Sequence, residues 1–94
     1  MPFARVVTFE GVGQDRVDEI KRRVNEGERP GDMPASEIIV LYDGAAQKSE
    51  VIVFFETEDD YRRGDEILSE MPAEDTPGRR TSVTKYEVAV RATG

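Results

Sequence analysis

The chain has 94 residues and a net charge of −7, with no cysteine, histidine or tryptophan. One small domain spanning residues 1–94 is expected, burying roughly 60 to 65% of the surface its unfolded chain exposes. Without cysteine or histidine there is no disulfide framework, thiolate or imidazole metal site, Ser-His-Asp or Cys-His catalytic set, or haem held by a protein histidine or cysteine.

"ARVVTFEG" (4–11) reads as a strand ending at the glycine-rich corner "GVGQ". "DRVDEIKRRVNEG" then reads as a helix with Asp15 as N-cap, a stripe of Val17, Ile20 and Val24, and Gly27 at the C-terminal turn. The loop "ERPGDMP" follows. "SEIIVLYDG" and "SEVIVFFE" form two antiparallel strands joined through "AAQK". "TEDDYRRGDEILSEMP" is a second helix in which Thr57 and Asp60 are spaced as a capping box. Its inner stripe is Tyr61, Gly64, Ile67, Leu68 and Met71, and Pro72 stops it. After "PAEDTPGRR", the last strand runs "TSVTKYEVAVRA". Alternation sets Tyr86, Val88 and Val90 on one face against Lys85, Glu87 and Arg91 on the other, a charged face that suits an edge strand.

The order strand, helix, strand, strand, helix, strand is the split βαβ arrangement of an α+β, ferredoxin-like βαββαβ fold. It implies a four-stranded antiparallel sheet with both helices on one face, because right-handed crossovers place them together. Yet "EVIVFFETEDD" (50–60) holds five apolar residues in succession, so both faces of that strand need cover. A helix-free face of four strands amounts to about 400 Å² of projected area. A patch of that size usually marks a partner, and a second copy packed sheet to sheet is the economical one.

Two such subunits face to face resemble the dimeric α+β barrel superfamily, and the chain is similar to small stand-alone members related to antibiotic-biosynthesis monooxygenases. The resemblance in element order covers nearly the whole chain. Its most specific segment is "FFETEDDYRRGDE", about a dozen residues. Where those enzymes commonly carry tryptophan, an acid, serine and two acids, this chain has Phe55, Glu56, Thr57, Glu58 and Asp59. Gly64 stands at the position of the family's helical histidine, and Val53 where a glutamate is often found. The polar pocket residues are thus the ones replaced, and the resemblance implies an apolar cleft lined by Val53, Phe55, Tyr61 and Gly64. Haem-degrading relatives depend on a histidine ligand that this chain lacks. The closing "RRTSVTKYEV" is similar to the last strand of bacterial members of the group.

The other motifs have simpler explanations. "GVGQDR" begins as a phosphate loop would, but Arg16 replaces its last glycine and the element order is wrong for a dinucleotide fold. An RNA-recognition sheet shares this element order but would need stacking aromatics where Glu50 and Ile52 stand. The acidic balance and scattered basic residues argue against a nucleic-acid partner. Glu56, Glu58, Asp59 and Asp60 lack the alternate spacing of a calcium loop, and charge at a helix start accounts for them. Arg62 and Arg63 are spaced to pair with Asp59, Asp60 or Glu66 on the same helix. Glycine inside a helix costs about 1 kcal/mol relative to alanine. Gly64 therefore marks either close packing on Phe54 or Phe55, the preferred reading, or a ligand cavity.

No stretch is long enough to span a membrane and no signal core opens the chain, so a cytoplasmic location without membrane attachment is expected. Two function classes follow. The first is a homodimeric binding or assembly module without catalysis, placed ahead because the familiar pocket residues are missing. The second is a cofactor-free, metal-free monooxygenase-like enzyme acting on a small apolar or aromatic ligand, whose catalytic residues the sequence does not identify.

Overall fold

The computed structural model describes residues 2–27, 33–70 and 78–92. The first strand, β1 (Phe3–Glu10), ends where Gly11 turns to a φ of +70°, a left-handed conformation that a side chain would resist. Val12 is then fully buried, and its N–H donates to the Gln47 carbonyl at 2.8 Å, tying this corner to the hairpin opposite. Helix α1 spans Gln14–Asn25. Its first carbonyl is that of Gly13, which accepts from the amides of Arg16 and Val17, so Asp15 lies in the first turn and is not the cap. The carboxylate still sits near the positive end of the helix dipole. Gly27, at φ +80°, provides the left-handed exit expected of it.

Strands β2 (Glu37–Asp43) and β3 (Lys48–Phe55) form the hairpin read from the sequence, each within a residue of its expected start. The Asp43 carboxylate accepts from the amides of Ala45 and Ala46, an Asx-type turn that bends the chain into β3. Helix α2 (Glu58–Ser69) begins at Thr57, whose hydroxyl accepts from the Asp60 amide at 3.1 Å. The N-terminal half of the expected capping arrangement is therefore present. Met71, Pro72 and the loop to residue 77 lie outside the described residues, as do residues 28–32 of the earlier loop and the side chain of Val24.

The four strands form one antiparallel sheet in the order β2-β3-β1-β4, with β4 at Arg79–Glu87. This α+β architecture is compatible with a ferredoxin-like fold. Register fixes which side chains share a face. Phe3, Arg5, Val7 and Phe9 of β1 stand beside Val53, Val51 and Ser49 of β3, and beside Ile38, Val40 and Tyr42 of β2. Val7, Phe9 and Val12 pack with Val17 of α1, and Val53 and Phe55 pack with Tyr61 of α2, so both helices cover this face. Ala4, Val6, Ile39, Leu41, Ile52, Phe54, Thr84 and Tyr86 occupy the opposite face.

β4 ends earlier than its alternating pattern predicts. Its last pair is Phe3 with Glu87, after which the Val88 N–H reaches the Pro2 carbonyl at 2.9 Å. Proline has no N–H to return, so the ladder cannot continue. Residues 88–92 leave the strand, and Arg91, expected beside Lys85 and Glu87, reaches the other face instead.

Candidate functional site

The four residues of the expected cleft do come together, and they pack against one another. Val53, Phe55 and Tyr61 are 1%, 0% and 6% exposed. The Phe55 and Tyr61 rings meet edge to face at 5.5 Å between centroids, and Phe3 meets Tyr61 in the same manner at 6.3 Å. A Cβ at Gly64 would stand 2.2 Å from Phe55 Cε1 and 2.3 Å from Cζ. The ring occupies the volume that any other residue type would need, so the helical glycine serves close packing on Phe55.

Polar groups beside this cluster are engaged with each other. Arg5 lies on the helix-facing side of a central strand with its side chain 4% exposed, and its Nε donates to Asp65 Oδ1 of α2 at 2.8 Å. A second guanidinium nitrogen donates to Ser69 Oγ at 3.4 Å. Arg5 was legible only as an exception: it shares the parity of Val7 and Phe9 within an otherwise apolar strand face. Removing one partner of a buried pair costs more than removing both. Asp65→Ala is expected to destabilise the fold by about 2 kcal/mol, discounted because Asp65 is 44% exposed. Arg5→Met, which replaces the charge by apolar volume and leaves Asp65 to water, should stay within ~1 kcal/mol of native. Urea unfolding of the two variants checks this, and equal losses would contradict it.

Tyr61 is the group whose ionisation this environment visibly alters. Burial raises its phenol above the ordinary value of 10.0, the Asp65 carboxylate raises it further, and the Arg5 charge opposes both. At neutral pH it is a fixed hydroxyl rather than a base. The unfolded chain loses this proton near pH 10 while the folded chain holds it to higher pH. The stabilisation is thus complete below pH 10 and is lost as pH rises through the folded value. Unfolding midpoints should fall above pH 10, with a shallower fall in Tyr61→Phe; identical alkaline profiles would contradict the assignment.

Three of the acidic residues around the start of α2 are drawn to different cations. Glu58 pairs with Lys85 at 3.8 Å, Glu56 with Arg91 at 3.7 Å, and Asp59 with Arg62 one turn along the helix. Lys85 Nζ also lies 4.9 Å from the centroids of both the Phe3 and Tyr61 rings, closing the edge between β4 and α2. Among the described residues, no group of three or more acidic side chains is placed to hold a metal ion. No helix among them is long and apolar enough to cross a membrane.

Two grooves lie away from the Phe55 cluster. One of about 210 Å³ runs between α1 and β2, walled by Val17, Ile20, Ile38, Val40 and Tyr42 with Lys21 and Asn25 at its rim. The Tyr42 hydroxyl donates to the Val12 carbonyl at 2.9 Å, which holds that wall in place. The other, of about 290 Å³, opens at the hairpin end beside Leu41, Lys48 and Glu50.

Among the described residues, no helix packs on the other face of the sheet. Its central row of Val6, Ile39 and Ile52 runs across three strands, flanked by Ala4 and Phe54 on one side and Leu41 on the other. Leu41 is 49% exposed and Tyr86 54%. Sequence reasoning required this face from the unbroken apolar run of β3, and the register now identifies Ile52 and Phe54 as its members from that strand. No protein-family model matches the chain, and no curated protein sequence matches it.

Proposed function

We propose that the protein is a homodimeric assembly or binding module, two ferredoxin-like subunits joined through their helix-free sheet faces in the manner of a dimeric α+β barrel. The observation that carries this reading is the continuous row Val6, Ile39 and Ile52, extended by Leu41, Phe54 and Tyr86, on a face that neither helix covers. At about 25 cal/mol per Å², burying a face of roughly 400 Å² contributes on the order of 10 kcal/mol per subunit before association costs.

The packing of Val53, Phe55, Tyr61 and Gly64 favours a module over a monooxygenase-like enzyme. An aromatic substrate would need space beside those residues, and the Phe55 ring fills the space at Gly64. Tyr61, the one phenol in that cluster, is biased toward its protonated form. No nucleic-acid partner belongs to this reading, since the −7 charge opposes phosphate binding. Multi-angle light scattering at micromolar concentration tests it. A mass of about twice the 10.6 kDa chain is expected, and a monomer across that range would overturn it.

A further inference from the structure

The sheet face alone is small for stable association. Specific interfaces bury about 800 Å² on each partner, and four strands of this length project roughly 400 Å². Surface from outside the sheet is needed, and residues 88–92 lie at its Phe54 end. Arg91 makes three contacts that hold them there. The Arg91 guanidinium stacks 4.6 Å above the Phe54 ring, forms an ion pair with Glu37 at the start of β2, and reaches Glu56 just past β3 at 3.7 Å. The Val88 amide anchors the near end of the segment to Pro2. Beside this clamp, Val90 is 85% exposed, the most exposed of the large apolar side chains in the described chain.

We propose that residues 88–92 form part of the docking surface for a second copy, with Arg91 clamping the segment over Phe54 and the partner burying Val90. The inference rests on the dimer reading and specifies which surface beyond the sheet completes it. The clamp is built from half-exposed charges, so salt loosens it. The planar guanidinium stacks on the ring while its edge nitrogens face the carboxylates, a geometry that the compact lysine ammonium does not reproduce.

The test is the dimer dissociation constant of the full chain by sedimentation, with circular dichroism to confirm that each variant is folded. Val90→Ser changes no charge at a residue already 85% exposed in the single chain. It is expected to weaken self-association by about a hundredfold, the loss of one buried valine side chain from each subunit. Arg91→Ala should weaken it at least as much in low salt, with Arg91→Lys between it and native. The gap between native and Arg91→Ala should narrow in about 1 M salt, where screening acts within ~3 Å. Native affinity in either Val90→Ser or Arg91→Ala overturns the inference while leaving a sheet-face dimer standing. A monomeric native chain would overturn both.

Discussion

Gly64→Ala is expected to lower the stability of the fold, although alanine is the better helix former by about 1 kcal/mol. The added Cβ would meet Phe55 Cε1 at 2.2 Å, far inside van der Waals contact. A flexible surface side chain could yield at little cost. Phe55 cannot, because it is 0% exposed and is held against Tyr61 and Val53 beneath α2. Overpacking of this kind costs roughly 1 to 3 kcal/mol, and at this separation the upper part of the range applies. The net loss for alanine is then ~1 to 2 kcal/mol, a fall in melting temperature of about 4 to 8 °C per kcal/mol for a domain of this size. Gly64→Leu should lose more, by about 3 kcal/mol or beyond.

A double-mutant cycle separates packing from any change in helix propensity. Phe55→Leu withdraws the ring atoms from α2 and is itself destabilising through the volume it vacates. Combined with Gly64→Ala it should cost less than the sum of the two single changes, because the methyl group enters space the ring has left. A melting temperature above native in Gly64→Ala or Gly64→Leu would mean that the volume beside the helix is empty, restoring the case for a ligand there.

The parts of the fold that were legible in the sequence are those where one pattern decides the answer. Unbroken apolar runs, Ile38 to Tyr42 and Val51 to Phe55, marked the two strands of the hairpin, and the Thr57 and Asp60 spacing marked the start of α2. Arg5 was less legible, since a charge within a strand ordinarily marks the solvent side. Its inward position depends on Asp65, sixty residues later, and strand periodicity does not report on the helix across from it. The departure of residues 88–92 was hidden for the same reason. The alternation of "YEVAVRA" continues past Glu87, while the neighbouring strand that would pair with it has reached Pro2.

The cluster of Val53, Phe55, Tyr61 and Gly64 shows how a resemblance and a physical reading can select the same residues for different reasons. The family pattern placed Gly64 where a functional histidine would project. Helix energetics also singled out that glycine as needing compensation. The Phe55 ring supplies the compensation, because this aromatic side chain from the sheet fills the volume beside the glycine.

Sedimentation equilibrium of the native chain beside Ile52→Glu tests the proposed dimer most directly. Ile52 lies in the middle of the helix-free row, paired with Val6 on one side and Ile39 on the other. In a single chain that face is open, so a glutamate there keeps its charge in water. Across a sheet-to-sheet interface the same carboxylate would be buried, once from each subunit, in apolar surroundings, a cost of several kcal/mol, or at least a hundredfold in dissociation constant. Leu41→Glu, at a position 49% exposed in the single chain, should act in the same direction with less demand on the fold. The native chain should sediment at about twice 10.6 kDa at micromolar concentration, and Ile52→Glu at the mass of one folded chain. A native monomer, or an Ile52→Glu variant that associates as tightly as the native chain, would contradict an interface on this face.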